Sequence, residues 1–160
     1  MKNHNKNKAF VTGGAGFIGS SIVDKLLSQG HSVVVYDNFS TGQIRFLDNA
    51  KKNSNLNIVK GDLLDKSLLD VSIDNCDIVY HMAANADIRS GLEKPYFDIE
   101  QNTIATFNLL EAMRKKDIKR IVFSSSAAAL GEPLYSQLQN HALSQSKPHC
   151  MVRQKWLVRG

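Results

Sequence analysis

The sequence predicts a doubly wound α/β fold, in which helices cover both faces of a parallel β-sheet. Strand and helix signals alternate from the N-terminus onward, which is the order of repeated β-α-β units. Two strand segments, residues 33–35 (Val-Val-Val) and 121–123 (Ile-Val-Phe), are continuous apolar runs, as strands buried on both faces require. A glycine-rich turn at residues 13–19 joins the first strand to the first helix. We therefore expect about five strands in one sheet.

Each element follows from its own periodicity. The first strand, Lys8–Thr12, is a short apolar segment that ends at the glycine-rich turn. Residues 17–29 carry apolar side chains at helical spacing, and Gly30 closes this helix. The same reasoning predicts strands at Ser32–Asp37, Leu56–Lys60, 77–81 and 119–124, and a long helix at 96–116.

Length and composition indicate one globular domain. The chain has 160 residues, of which 42% are hydrophobic and 22% are charged, so it can bury a core. Cys76 and Cys150 are far apart and fit neither a disulfide framework nor a metal-ligand spacing, so no metal site is expected. Residues 1–8 precede no apolar run, and no segment reaches transmembrane length. We therefore expect a cytoplasmic protein with no membrane partner.

The net charge of +5 is concentrated near the C-terminal end. Residues 1–133 carry 16 Lys and Arg against 15 Asp and Glu, whereas residues 134–160 carry four basic residues and no acid. Binding to nucleic acid needs basic side chains spread over a folded face, so we exclude nucleic acid as a partner. The segment after Pro133 also lacks a helical or strand period. We therefore divide the chain into a folded domain, 1–133, and a tail, 134–160.

The turn after the first strand has the pattern of a dinucleotide-binding loop. It reads Gly-Gly-Ala-Gly-Phe-Ile-Gly and lies between a strand and a helix. Small residues let the backbone approach a pyrophosphate, whose charge is met by backbone N–H groups and by the positive end of the following helix. The alternative is a tight turn that binds no ligand. The candidate cofactor-binding residues in this turn are Gly13, Gly16, Phe17, Ile18 and Gly19.

An acidic residue ends the second strand, where a dinucleotide site requires one. Asp37 is placed to accept hydrogen bonds from the hydroxyl groups of the adenosine ribose. Its negative charge would repel the 2′-phosphate that distinguishes NADP from NAD. The sequence therefore favours NAD as the cofactor.

Further motifs follow in order along the chain. They are residues 12–19 (Thr-Gly-Gly-Ala-Gly-Phe-Ile-Gly), 36–38 (Tyr-Asp-Asn), 61–63 (Gly-Asp-Leu), 81–84 (His-Met-Ala-Ala), 102–112 (beginning Asn-Thr-Ile-Ala-Thr), 123–126 (Phe-Ser-Ser-Ser) and 131–133 (Gly-Glu-Pro). With these motifs the chain resembles the NAD-dependent epimerase/dehydratase family of extended short-chain dehydrogenases/reductases, over about residues 8–133. The resemblance implies a Rossmann-type fold, NAD as cofactor and a nucleotide sugar as substrate.

The resemblance also implies roles for individual residues. Asp62 faces the adenine, Asn102 is the active-site asparagine on its helix, and Ser126 carries the catalytic hydroxyl. The residues that it implies at the cofactor, beyond the glycine-rich turn and Asp37, are Asn38, Asp62, Leu63, Met82, Ala83, Ala84, Asn102 and Ser124.

Each of these residues also has a purely structural interpretation. Asp62 then caps the next helix, and Asn102 is a polar position within a helix. His81, within the motif 81–84, is then a core histidine bonded to the backbone, and the serines terminate a strand. These alternatives stay open at the level of the sequence.

The acid/base pair of the family is missing from this sequence. Family members use Tyr-x-x-x-Lys, in which the tyrosine moves a proton of a substrate hydroxyl while the lysine lowers the pKa of the tyrosine. None of Tyr36, Tyr80, Tyr96 and Tyr135 has Lys four positions later. We therefore expect little or no turnover from this chain.

The tail suggests a genetic explanation. When the last base of each codon is read with the first two of the next, residues 149–160 permit Leu-Tyr-Gly-Ala-Ser-Lys-Met-Ala-Gly-Glu, which resembles the active-site helix of the family. We hypothesise that a net one-base deletion or two-base insertion near codons 134–139 shifted the reading frame, so that the C-terminal substrate domain is absent. An alternate DNA frame that stops early would exclude this hypothesis. A divergent tail is the alternative.

These observations lead to two hypotheses of different classes. The first is an N-terminal fragment of an NAD-dependent nucleotide-sugar epimerase, with a 4,6-dehydratase or a reductase of the same family as the nearest alternative. The second is a non-catalytic NAD-binding module. Because dimers are common in the family, a homodimer is the oligomer to test for.

Overall fold

The computed structural model describes residues 6–85, 87 and 93–125. The five strands are β1 (Lys8–Thr12), β2 (Ser32–Asp37), β3 (Leu56–Lys60), β4 (Ile78–His81) and β5 (Ile121–Phe123). The α-helices are α1 (Phe17–Ser28), α2 (Lys66–Ser72), α3 (Pro95–Asp98) and α4 (Ala105–Lys115). Ile44–Leu47 and Ala50–Lys52 form short 3₁₀ turns, and the π-helical segment Ile99–Ile104 lies between α3 and α4.

The strands form one parallel sheet in the order β3-β2-β1-β4-β5. Thr12 at the end of β1 pairs with Tyr36 of β2 on one side and with His81 of β4 on the other. The strand order reverses beside β1, as in the doubly wound Rossmann fold. The predicted fold class is therefore confirmed.

Helix α1 covers one face of the sheet. Successive side chains of a strand point to opposite faces, so the odd-numbered residues of β1 and β2 all face α1. Each fully buried Val or Leu contributes about 1.5–3 kcal/mol to folding. The cluster consists of Ala9, Val11, Ala15, Val23, Leu26, Leu27, Val33, Val35, Leu47, Ala50 and Ile78.

The even-numbered residues of the same strands form the other face. Phe10 and Tyr36 are buried there, and their ring centroids lie 5.4 Å apart. The burial of both rings shows that this second face of the sheet is covered as well, as the continuous apolar strands predicted. The Nζ of Lys115 in α4 lies 2.8 Å from the Oδ2 of Asp70 in α2, so these two helices are adjacent.

The predicted element bounds agree with the structure to within a few residues, with two differences. The helix expected at 96–116 is divided by the π-helical segment Ile99–Ile104. Helix α2 (Lys66–Ser72) was not predicted, although Asp65 gives the signal for its start: its side chain accepts a hydrogen bond from the N–H of Leu68 at 3.1 Å.

The chain divides into two compact units. The first comprises Met1–Ala84 and Asn108–Phe123 and contains the whole sheet. The second comprises Asn85–Phe107 and Ser124–Gly160. Among the described residues, no helix combines the length and the apolar character needed to cross a bilayer.

Candidate functional site

Two loops of the first unit meet where the strand order reverses. The glycine-rich loop follows β1, and the segment from Met82 to Ala84 follows β4. A Cβ atom on Gly13 would lie 2.7 Å from the backbone nitrogen of Ala83, so only glycine permits this approach. Ligands of doubly wound sheets bind outside the carboxyl ends of the strands at such a reversal. The structure therefore brings the predicted residues Gly13, Met82, Ala83 and Ala84 to one edge of the sheet.

Gly13 starts a tight turn at the end of β1. Its φ of +64° lies in the left-handed region, which glycine adopts without strain. Its N–H donates to the carbonyl of Tyr36 at 3.0 Å, and its own carbonyl accepts from the N–H of Gly16 at 3.0 Å. The first bond attaches the loop to the end of β2, and the second closes the turn itself.

The first turn of α1 packs directly on this loop. A Cβ atom on Gly19 would overlap the carbonyl oxygen of Gly13 and would lie 2.8 Å from the Cα of Gly14. Gly14 in turn lies against the side chain of Val35 in β2, 2.9 Å from the position of its missing Cβ. Gly19 therefore allows close contact of helix and loop, and it does so without a positive φ.

The N-terminus of α1 has the features of an anion site. The first N–H groups of a helix have no acceptor within the helix, and they carry its partial positive charge. Gly16 at the N-cap provides no side-chain cap, and the described first turn of α1 contains no acidic residue. The side chains of Phe17 and Ile18 are 80% and 59% exposed. Any role of these two residues in binding a pyrophosphate therefore belongs to their backbone N–H groups.

Asp37 is held firmly at the end of β2. Its carboxylate is buried and accepts a hydrogen bond from the N–H of Ala15 at 2.9 Å and another from the N–H of Phe39 at 2.8 Å. A carboxylate has about four acceptor positions, so two such bonds leave capacity for hydroxyl donors. The predicted ribose-binding residue and the glycine-rich loop are thus joined directly.

Asn38 and Asp62 form a second polar pair beside this carboxylate. The Nδ2 of Asn38 donates to the Oδ2 of Asp62 at 2.9 Å, and the Oδ1 of Asp62 accepts from the N–H of Leu64 at 2.9 Å. The interpretation of Asp62 as the cap of the next helix is wrong, because Asp65 caps α2. The contact of Asp62 with an adenine stays a prediction.

Tyr36 supports the same pair from within the sheet. Its hydroxyl donates to the backbone carbonyl of Asp62 at 2.9 Å, and the missing side chain of Gly61 leaves room for its ring. Burial raises the pKa of Tyr36 to about 12, with the negative charges of Asp65 and Asp62 adding to the increase. The phenol therefore stays protonated and keeps donating near neutral pH.

Thr12 joins the ends of β1 and β4. Its Oγ1 lies 2.6 Å from the Nδ1 of His81, and both side chains are buried. The same oxygen accepts from the N–H of Ala83 at 3.3 Å, and the carbonyl of Thr12 accepts from the N–H of Met82 at 3.1 Å. His81 is thus a buried histidine that helps to fix the segment after β4.

Asn102 lies in the second unit, within the π-helical segment. Both polar atoms of its side chain are hydrogen-bonded. Oδ1 accepts from the N–H of Asn85 at 2.9 Å, and Nδ2 donates to the Oδ1 of Asp98 at 2.6 Å. Asp98 is 1% exposed. Single-turn π-helical insertions occur often at functional sites. The contact of Asn102 with a cofactor stays a prediction.

The remaining predicted residues are placed as follows. Leu63 is buried, and its carbonyl accepts from the Nδ2 of Asn108 at 3.0 Å. Ser124 directly follows β5 and is partly exposed. Ser126 and the tail 134–160 lie outside the described residues.

Metal and thiol chemistry find no support in the described part of the chain. Over residues 6–85, 87 and 93–125, no three His, Cys, Asp or Glu side chains come together as ligands. Cys76 is buried, and this burial raises the pKa of its thiol to about 11. A thiol with so high a pKa is almost entirely protonated near neutral pH and reacts slowly.

Two residues at the site were missed from the sequence. Ala15 donates to Asp37 through its backbone, so its side chain gives no signal. Gly42 lies against the Asp37 carboxylate, with 2.8 Å between the position of its missing Cβ and Oδ1. Asp37 and Asn38 each accept an N–H from two residues later, as aspartate and asparagine often do in turns, but these bonds involve Phe39 and Ser40 and gave no signal for Ala15 or Gly42.

A family model matches most of the chain. Residues 9–150 match the model described as "NAD dependent epimerase/dehydratase family". The match includes the glycine-rich loop, Asp37, Asp62, the segment after β4 and Asn102.

Individual relatives agree with this match. The UDP-glucose 4-epimerase of Halalkalibacterium halodurans is 41% identical over 131 residues, which cover 81% of this chain and 37% of that protein. The UDP-N-acetyl-alpha-D-glucosaminuronate decarboxylase of Bacillus cytotoxicus is 33% identical over 127 residues, covering 79% and 39%. The crystal structure of UDP-glucose 4-epimerase from Brucella ovis in complex with NAD superposes with a TM-score of 0.83 at 32% identity, covering 96% and 46%. The chain therefore spans less than half the length of each of these relatives.

Proposed function

The chain belongs to the NAD-dependent epimerase/dehydratase family, and from this premise we propose that it is the NAD-binding part of a nucleotide-sugar epimerase of the UDP-glucose 4-epimerase type. The observation that carries the proposal is the bond between Asp37 and Ala15. It joins the carboxylate that would hold a ribose to a glycine-rich loop that ends at the N-terminus of α1. A dinucleotide needs both features, one for a ribose and one for the pyrophosphate.

The residues present fit NAD. Gly13, Gly16 and Gly19 keep the backbone of the loop close to the helix and free of side chains. The N–H groups of Phe17 and Ile18 would receive the pyrophosphate, because they begin a helix whose described first turn has no acidic side chain. Asp37 would hold the adenosine ribose and disfavour a 2′-phosphate. Asp62 and Asn38 would lie at the adenine side of the site.

The substrate side of the proposal rests on two further residues. By the resemblance, Asn102 and Ser126 would support the reacting hydroxyl and the geometry of the active site. Bound NAD⁺ supplies a hydride acceptor that takes hydrogen from a sugar carbon and returns it. The 160 residues contain no Tyr-x-x-x-Lys, so the proton of the sugar hydroxyl has no base of the family's kind. We therefore expect the chain to bind NAD and to turn over little or no nucleotide sugar.

Within the family, the reaction and substrate have to be chosen from several known types. A decarboxylase acting on a different sugar shares 33% identity with this chain. The segment that this chain shares with its relatives is thus found in enzymes that catalyse different reactions. The UDP-glucose 4-epimerase type is preferred because the Halalkalibacterium and Brucella proteins with that activity match the chain well. A 4,6-dehydratase or a reductase is the alternative.

Calorimetric titration of the purified chain with NAD⁺ and with NADP⁺ tests the proposal. We expect a single NAD⁺ site per chain and binding of NADP⁺ that is at least about tenfold weaker, because a charge repulsion of one to two kcal/mol corresponds to such a factor. Absence of any dinucleotide binding would refute the proposal. A parallel assay of UDP-galactose formation from UDP-glucose measures turnover. The mass of the protein in solution reports whether a homodimer forms.

A further inference from the structure

Gly42 lies directly on the Asp37 carboxylate. A Cβ atom at position 42 would be 2.8 Å from the Oδ1 and 3.0 Å from the Oδ2 of Asp37, and 3.0 Å from the Cβ of Ala15. Ordinary contacts between an aliphatic carbon and an oxygen begin at about 3.3 Å. Any side chain at position 42 must therefore move a neighbour by roughly half an ångström.

The backbone of Gly42 gives no other reason for a glycine. Its φ does not lie in the left-handed region, where Gly13 and Gly30 are found. Alanine at position 42 would thus meet a contact problem and no backbone strain. Position 42 therefore requires glycine because the Asp37 carboxylate lies against it.

The contact is relieved most readily by a shift of the carboxylate. The loop itself is anchored beside Gly42, because the N–H of Gln43 donates to the carbonyl of Ala15 at 2.9 Å. The Cβ of Ala15 is buried in the core cluster. The carboxylate, by contrast, ends a side chain that rotates about two bonds. A methyl group at position 42 would push Oδ1 off the N–H of Phe39 and Oδ2 off the N–H of Ala15.

We propose that Gly42 is a positioning residue for Asp37, and that it thereby sets the preference of the chain for NAD over NADP. This inference rests on the proposed NAD site. With glycine at position 42, the carboxylate stays on the N–H groups of Ala15 and Phe39 and presents its remaining acceptor positions in one fixed direction. A displaced carboxylate binds ribose hydroxyls less well and repels a 2′-phosphate from a greater distance.

The substitution Gly42→Ala in the full chain tests the inference through a ratio of affinities. We expect the Kd of NAD⁺ to rise about tenfold, the factor expected for loss of one charge-assisted hydrogen bond, while the Kd of NADP⁺ changes little. The Kd of NADP⁺ divided by the Kd of NAD⁺ should therefore fall about tenfold. Thr41→Ala, at the adjacent exposed position, is the matched control and should leave the ratio unchanged. A general loss of stability would weaken both cofactors and would not move the ratio.

A double-mutant cycle with Asp37→Ala assigns the effect to the carboxylate. In the Asp37→Ala background, Gly42→Ala should change the ratio by less than about twofold, because the group that it displaces is gone. An undiminished effect in that background would overturn the inference, as would a Gly42→Ala chain with the ratio of the parent.

Hydrogen exchange of the Ala15 amide separates this inference from the proposed function. It is measured without cofactor, and we expect faster exchange in Gly42→Ala than in the parent and in Thr41→Ala. Unchanged exchange of this amide refutes the positioning of Asp37 by Gly42, whether or not NAD⁺ binds. Failure of the parent chain to bind NAD⁺ refutes the proposed function instead, and with it the consequence for cofactor preference.

Discussion

The carboxylate of Asp37 accepts a hydrogen bond from the backbone N–H of Ala15 at 2.9 Å, although the two residues are 22 positions apart in the sequence. Asp37 ends β2, and Ala15 lies in the loop that follows β1. Because these strands are parallel neighbours, their carboxyl ends meet at one edge of the sheet. The bond ties the carboxylate that we propose for the ribose to the glycine-rich loop.

Removal of the Asp37 charge should therefore weaken NAD binding and relax cofactor preference together. In Asp37→Asn the amide group cannot accept from both Ala15 and Phe39, so one buried N–H loses its partner. We expect the Kd of NAD⁺ to rise about tenfold or more, since a hydrogen bond to a charged group contributes about 1.5–3 kcal/mol. Titration with NAD⁺ and NADP⁺ measures both effects. Asp24→Asn, on the exposed side of α1, makes the same change of charge and should have neither effect.

Gly19→Ala should destabilise the protein, although alanine is the better helix former by about 1 kcal/mol. The added Cβ would overlap the carbonyl of Gly13, and backbone atoms cannot swing aside as a side chain can. We expect a net loss of about 1–3 kcal/mol in the free energy of unfolding, together with a loss of NAD affinity. Urea unfolding and cofactor titration measure the two quantities. A stabilised Gly19→Ala protein would contradict the packing described for α1.

Gly30→Ala is the contrasting variant for this prediction. Gly30 has a φ of +82°, and the nearest atom to its missing Cβ is the Cε of Lys6 at 4.0 Å. Alanine there meets backbone strain and no overlap, at a cost of about 1 kcal/mol. Gly30 follows the C-terminal end of α1, whereas the glycine-rich loop precedes its N-terminal end, so the affinity for NAD should be unchanged.

The sequence predicted the fold well, because each of its signals is local. The apolar strands and the turn at Gly13 depend on residue type and spacing, and the structure has them at the expected positions. The π-helical segment Ile99–Ile104 was not predictable in this way, because a single turn with i→i+5 hydrogen bonds is too short to leave a period of its own in the sequence. Its presence coincides with the bonds of Asn102, which involve Asn85, 17 residues earlier.

The residues of the candidate site that could be named from the sequence are those whose residue type carries a signal, whereas contacts made by backbone groups were missed. Asp37, Asp62 and the glycines were identified because their side chains, or the lack of one, carry the signal. The donor of Ala15 and the contact of Gly42 depend on how two loops pack, and no local pattern encodes that. Asp62 shows how a local interpretation can fail. A helix-capping role suited its place in the sequence, but Asp65, three residues later, caps α2.

Tyr36 should make the stability of the protein fall at high pH. Its pKa in the folded protein is about 12, against an ordinary value of 10.0. The folded state then holds the phenol proton more tightly than the unfolded state does, so this contribution is complete below pH 10 and is lost between about pH 10 and pH 12. Urea midpoints measured across that range should fall more steeply for the parent than for Tyr36→Phe. Parallel curves for the two proteins would show that Tyr36 titrates normally.

Thr12→Val should destabilise the junction of β1 and β4. Valine keeps the shape and removes the oxygen that meets His81 and the N–H of Ala83. We expect a loss of about 1–3 kcal/mol in the free energy of unfolding, because buried polar groups are left without this partner. Thr41→Val makes the same chemical change at an exposed position and should alter stability by less than about 0.5 kcal/mol. Equal stabilities of the two variants would contradict a structural role for the Thr12 hydroxyl.

Asp98 and Asn102 should behave as a coupled pair. The Nδ2 of Asn102 donates to the Oδ1 of buried Asp98 at 2.6 Å, so Asn102→Asp would place two carboxylates against each other and remove the donor. We expect this single change to cost about 2 kcal/mol or more, since like charges in a buried site cannot both stay ionised without penalty.

The exchanged double variant Asp98→Asn with Asn102→Asp decides whether the coupling is real. It restores one donor and one acceptor across the contact, and an oxygen at position 102 can still accept from the N–H of Asn85. We therefore expect the double variant to be more stable than Asn102→Asp alone by about 1–2 kcal/mol in urea unfolding, as coupled neighbours require. If the losses of unfolding free energy in the two single variants add up to the loss in the double variant, Asp98 does not orient the amide of Asn102. The bond from Asn102 to Asn85 would then need another explanation.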